Sequence, residues 1–144
     1  DQVGTSFTLV GAGITTPAIH HALRTFSSED EPTIDALYAL RCALVHDYSL
    51  ANVAPNGNPQ RTHLFRLDAN ATTPLIQFPS ARWDGNYASV TPENETLVNL
   101  QKVGDLAVSV VARLRTEHDA GNLDIRLDLT EFELRYGFCF PVEG

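Results

Sequence analysis

"TIDALYALRCALVHDYSL", residues 33–50, sets the reading of the fold. Ile34, Leu37, Leu40, Leu44 and Val45 recur at helical spacing and make a wide apolar stripe. A helix is expected from about Thr33 to about Leu50. Inside that apolar run stand an arginine, a histidine and a tyrosine: Arg41, His46 and Tyr48. Plain core packing requires none of them.

The flanks extend the pattern in both directions. Upstream, "TTPAIHHALRTF" (15–26) reads as a second helix, with Thr16 as N-cap and Pro17 at its first position. Ala18, Ala22 and Phe26, with Ile19 and Leu23 beside them, form its apolar stripe. "SSEDEP" (27–32) breaks it, and the acids there favour the start of the next helix. "TSFTLVGAGI" (5–14) suits a strand or the tail of a helix. Downstream, "ANVAPNGNPQ" (51–60) is loop by its Pro, Gly and Asn content. "THLFRLD" (62–68) and "TPLIQF" (73–78) read as strands, and "ANAT" between them suggests a hairpin. Loop follows over 79–94. "ETLVNLQKVGDLAVSVVARLRTEHD" (95–119) reads as a long helix that Gly104 weakens and "AGN" (120–122) stops. "LDIRLDLTEFELRYGFCF" (123–140) alternates and reads as strand.

Strands do not alternate regularly with helices, so a parallel α/β sheet is not expected. The reading is one mainly helical α+β domain over 1–144. Its helical core spans about 15–50 and 95–119, a hairpin and loop insertion spans about 53–92, and a strand-like segment spans 123–140.

Ten basic against eighteen acidic side chains give a formal charge of −8. That argues against a general nucleic-acid coat or an anionic-membrane binder, since both need basic surface. A local cleft remains open, with Arg61, Arg66 and Arg82 to supply it. The longest apolar candidate, "DLAVSVVARL" (105–114), is too short to span a bilayer. The chain starts at Asp1 rather than Met, which reads as a trimmed, processed or only partly visible start. Cys42 is expected as a buried thiol, and a bridge to Cys139 stays open. Sequons at Asn70 and Asn94 carry little weight, since about one arises by chance. A cytoplasmic protein is expected.

Most motifs reduce to packing. Gly11-x-Gly13 precedes a helix, but Thr16 stands where a dinucleotide turn needs a third glycine. Cys42 and His46 share i, i+4 spacing, yet one pair is not a metal site. His20 and His21 diverge by about 100° on a helix. Trp83 reads as a loop anchor, with base stacking as the alternative. Asp124, Asp128, Glu131 and Glu133 read as the wet face of a strand.

The trio in 33–50 is different. Arginine grips phosphate with a permanent planar fork. Histidine moves a proton near neutrality. Together they can transesterify an RNA phosphodiester without a metal, using the 2′-hydroxyl as internal nucleophile. On a regular helix, however, His46 lies about 140° round from Arg41. Tyr48, seven residues from Arg41, projects from nearly the same face as it, so the three border one edge only if the helix end unwinds or a second copy closes the gap. A second Arg-x4-His, at Arg113 and His118, lacks the trailing tyrosine and reads as a solvated helix end.

Arg41-x4-His46-x-Tyr48, in the setting "LRCALVHDY", resembles the motif of the HEPN superfamily of small helical nucleases. The local sequence is similar to toxin-type versions and to the Apea-like branch. The resemblance implies a HEPN-like helical bundle, a symmetric homodimer and a cleft where two motifs meet. It implies Arg41 and His46 as catalytic residues, and Tyr48 as a substrate-binding or regulatory residue. The expected function is metal-independent RNA cleavage of a bacterial defence or toxin type, without cofactor or metal. Expected partners are RNA, a second copy, and an antitoxin or other protein; DNA and membrane are not expected. The alternative is a non-catalytic HEPN-like dimerisation or protein-interaction module.

Overall fold

The computed structural model describes residues 2–13, 17–70 and 72–126. Its central helix, α3, spans Glu31–Cys42. It begins two residues before the expected Thr33 because Asp30 is the N-cap: its carboxylate accepts the Thr33 N–H at 3.0 Å. Pro32 sits in the first turn, where its missing N–H costs nothing. Ile34, Ala36, Leu37, Ala39 and Leu40 are buried on one face. The α-helix does not run to Leu50. It widens into a π-helical turn over Ala43–Asp47 and ends at Tyr48.

Helix α2, Ala18–Phe26, packs beside α3 and buries Ala22, Leu23 and Phe26. Pro17 is its N-cap rather than its first helical residue; Thr16 lies outside the described residues. A short helix α1, Gln2–Ser6, crosses α2 at Gly4, where a Cβ would stand 1.7 Å from the Ala18 carbonyl oxygen. Both readings of 5–14 are therefore realised in turn. The helix ends at Ser6, strand β1 follows over Phe7–Leu9, and Gly11 turns the chain at φ +76.

The expected hairpin does not form. β2 (Ala51–Asn52), β3 (His63–Asp68), β4 (Ile76–Gln77) and β5 (Glu95–Asn99) make a sheet of order β2-β3-β5-β4. β5 inserts between the two expected hairpin partners. It runs parallel to β3, with Leu64 opposite Glu95 and Asp68 opposite Asn99, and antiparallel to β4. So 95–99 is strand, not the start of the long helix, and the 53–92 segment is part of a sheet rather than an insertion on a bundle. Thr96 and Val98 point inward as strand alternation requires.

Asn99 makes the switch. Its Oδ1 accepts the Lys102 N–H at 3.1 Å and caps α4, Leu100–Asp119. Its Nδ2 donates to the Asn70 carbonyl at 2.7 Å and to the Thr73 hydroxyl at 2.8 Å, tying the 70–73 loop to the same point. α4 ends where expected, and Gly121 takes the left-handed turn at φ +72. β6, Leu123–Ile125, then pairs antiparallel with β1. Asp124 is exposed on β6, as expected. The remainder of the expected 123–140 strand, with Asp128, Glu131, Glu133 and Cys139, lies outside the described residues.

One apolar cluster joins these elements. Phe26, Ile34, Leu37 and Leu40 meet Phe65, Ile76 and Val98 of the sheet and Val110 of α4. The architecture is α+β, with helices supplying more of the described residues than strands. No helix among the described residues is long and apolar enough to cross a membrane.

Candidate functional site

The π-helical turn removes the angular conflict between Arg41 and His46. In it the Tyr48 N–H reaches back five residues to the Ala43 carbonyl. The extra residue per turn brings His46 round toward Arg41. Arg41 Nη1 stands 3.3 Å from His46 Nε2. A guanidinium has no acceptor, so it donates and the imidazole nitrogen accepts. That contact needs Nε2 unprotonated, the form a general base requires.

Tyr48 closes the turn at φ 48, ψ 39. It is the one non-glycine residue with positive φ among the described residues. A left-handed conformation costs a side-chain-bearing residue about 1–2 kcal/mol. The residue is 91% exposed. Arg41 and His46 are thus brought together, while Tyr48 projects into solvent and no hydrogen bond among the described residues ties its phenol to either.

Two recesses flank the pair. On one side, Tyr38, Cys42 and His46 follow at i, i+4 and i+8 along α3 and its turn. They line a cavity of about 400 Å³ with Asp47, Asn52 and Arg61. Cys42 is half-buried rather than buried. The neighbouring Cys42 thiol, with burial, raises the Tyr38 pKa. Arg61 lies over the Tyr38 ring at 4.9 Å and donates from Nε to Asp35 at 3.0 Å. On the other side, Arg41 borders an apolar groove of about 440 Å³ lined by Leu44, Val45, Val103, Ala107 and Val111.

His20 packs beneath this site and is 2% exposed. Its ring meets Tyr38 edge-on at 4.9 Å, and Nε2 stands 3.5 Å from the Asp35 carboxylate. Burial lowers its pKa, and Asp35 offsets that only in part. His20 is therefore a neutral packing residue near pH 7. His21 is also buried. Among the described residues no group of three His, Cys, Asp or Glu side chains could hold a metal ion.

The other candidates resolve as packing or surface. Arg61, Arg66 and Arg82 do not pool into one basic cleft. Arg66 pairs with Glu95 at 3.1 Å, and Arg82 donates to the Pro59 carbonyl. Trp83 is buried, with Nε1 donating to the Asn86 carbonyl at 2.9 Å, so it anchors its loop and offers no stacking face. At the second motif, Arg113 pairs with Glu117 at 2.6 Å and His118 faces solvent beside Asp119.

Sequence reasoning missed Tyr38, Asp35 and the role of Arg61. The i, i+4, i+8 spacing of Tyr38, Cys42 and His46 was the available signal for one wall. Nothing local signals Arg61, because the 51–62 excursion alone carries it to that wall.

Compared with family models, with curated proteins and with solved structures, the chain matches none.

Proposed function

We propose that this chain is a HEPN-like, metal-independent endoribonuclease of a bacterial defence or toxin type, acting in the cytoplasm as a homodimer. One observation carries the reading: the π-helical turn that holds Arg41 Nη1 3.3 Å from His46 Nε2. π-turns and left-handed non-glycine residues both concentrate at functional sites, and here they adjoin.

The chemistry follows from the two groups. Arg41 grips the scissile phosphate, and its guanidinium leaves His46 Nε2 to do so. The freed imidazole nitrogen takes the proton of the adjacent 2′-hydroxyl. The 2′-oxygen–phosphorus bond forms as the bond from phosphorus to the 5′-oxygen breaks. That oxygen receives the proton, leaving a 2′,3′-cyclic phosphate and a 5′-hydroxyl. Substrate thus releases the base that the resting site holds occupied. Tyr48 positions the RNA or serves as the contact for an antitoxin or other regulator.

The test is cleavage of a mixed RNA pool in EDTA by the 144-residue chain, with His46→Ala beside it. Cleavage that survives EDTA and is lost in the variant is the expected result. No cleavage by folded dimer overturns the reading in favour of a second one: a non-catalytic HEPN-like dimerisation or protein-interaction module. The observation favouring that second reading is the apolar groove beside Arg41, with Leu44 and Val45 about half exposed on a chain of charge −8.

A further inference from the structure

The cavity on the far side of His46 has a composition that the transesterification does not use. Its volume of about 400 Å³ accommodates a nucleobase and its sugar. It begins at His46, so a nucleoside attached to a phosphate held by Arg41 reaches it without a second anchor.

Three features bear on what enters. The first is a flat cation. Arg61 is fixed from beneath by the Tyr38 ring at 4.9 Å and along its edge by Asp35 at 3.0 Å. RNA-binding sites stack splayed bases on such guanidinium planes. The second is Asp47, next to His46, which lines the cavity and makes no side-chain ion pair or hydrogen bond among the described residues. The third is Asn52, which also lines the cavity. One of its two amide N–H groups donates to the Arg61 carbonyl, and its oxygen remains as an acceptor.

The reading edge is therefore rich in acceptors. A carboxylate takes two parallel donors. Guanine presents two neighbouring donors on its Watson–Crick edge, N1–H and the 2-amino group. Adenine, cytosine and uracil present one each. We propose that this cavity is a base-binding pocket selective for guanine, with Asp47 accepting from N1–H and the 2-amino group and Arg61 as the stacking plate. The assignment rests on the nuclease reading for its biological sense, but not for its test.

The test is equilibrium binding of guanosine 3′- and 5′-monophosphates, against the adenosine counterparts, to the 144-residue chain, followed by calorimetry. Guanosine nucleotides bind at least about tenfold more tightly, as one good bidentate pair provides. Asp47→Asn, an exposed and nearly isosteric change, brings the ratio close to one. Arg61→Lys keeps the charge beside Asp35 but loses the plate, so both nucleotides weaken about tenfold and their ratio holds. Equal binding of guanosine and adenosine nucleotides by the unaltered chain overturns the pocket. So does a guanine preference that survives Asp47→Asn. Binding needs no cleavage, so the two proposals fail separately. RNA cut without regard to guanine sinks the pocket alone. Guanine-selective binding by a chain that leaves RNA intact supports the pocket and sinks the nuclease alone.

Discussion

The chain contains the same spacing twice, each time at the C-terminal end of a helix. Arg41-x4-His46 ends α3, and Arg113-x4-His118 ends α4. At the first, a π-helical turn brings guanidinium and imidazole to 3.3 Å. At the second the helix stays regular to Asp119, Arg113 turns to Glu117, and His118 faces water. Each helix is closed by a left-handed residue, Tyr48 at φ 48 and Gly121 at φ +72. Glycine adopts that conformation without strain and tyrosine does not. Spacing in sequence thus does not define a site. Backbone pitch decides whether the two groups meet, and here the pitch that brings them together coincides with a strained residue.

The largest expected effect separates the two copies by activity. On the proposed nuclease reading, Arg41→Ala or His46→Ala lowers RNA cleavage by about 10²–10⁴-fold, the range for losing a proton-transfer or charge-stabilising group. Arg113→Ala and His118→Ala leave the rate within about twofold, since neither group touches the other. Rates on one RNA pool in EDTA read all four variants. Equal losses at both ends would dissolve the comparison, because pitch would then not matter.

How much of this was legible in the sequence differs between the same two ends. The boundaries of α4 at Asp119 and of the loop after it follow from "AGN", a local signal. The beginning of α4 does not. "ETLVN" continues the helical apolar pattern that follows it, so periodicity could not separate strand from helix. What separates them is Asn99, whose amide bonds reach loop residues 70 and 73, far away in sequence. The hairpin failed for the same reason. β3 and β4 each look like strands, yet the partner between them comes from a segment that reads as helix. At the candidate site, the residue types of the trio were legible, and the meeting of Arg41 and His46, though not of Tyr48 with them, followed from unwinding. The π-turn supplies that unwinding, and no local composition distinguishes "ALVHD" from an ordinary helical turn. Arg61 was legible only as a cation, not as a wall of a cavity.

A second, smaller effect concerns what lies beneath each end. α3 rests on His20, buried and neutral against Tyr38 and Asp35, whereas His118 on α4 is exposed. Burial depresses the folded-state pKa of His20 below the ordinary value of 6.5. The unfolded chain therefore takes up that proton first as pH falls. Stability contributed by the neutral form is complete above about pH 6.5 and is lost as pH drops toward the depressed folded value. His63, buried between Thr96 and the Gln60 carbonyl, shifts in the same direction through burial and adds to the loss. The melting temperature falls by several degrees between pH 7 and pH 5. His20→Phe, which keeps the edge-on packing and removes the titration, makes that fall shallower. His118→Phe leaves its slope unchanged. An unchanged slope for His20→Phe would show that α3 owes nothing to a neutral His20.

The smallest effect tests the strain itself by exchanging the two closing residues. Tyr48 holds a left-handed backbone while its ring contributes almost no burial, so Tyr48→Gly removes strain and loses little packing. The gain is partly offset by the greater freedom that glycine has in the unfolded chain. The net expectation is a stabilisation of up to about 1 kcal/mol. Gly121→Ala places a Cβ in open space, yet forces alanine into the same left-handed region, and costs about 1 kcal/mol. Urea unfolding midpoints of the two variants should move in opposite directions with unchanged slopes. If Tyr48→Gly instead destabilises the chain, the left-handed turn is held by contacts of the tyrosine rather than in spite of it. If it stabilises the chain while weakening RNA cleavage, the strain at the end of α3 is retained for the site it carries. α4, closed by glycine, brings no such pair together.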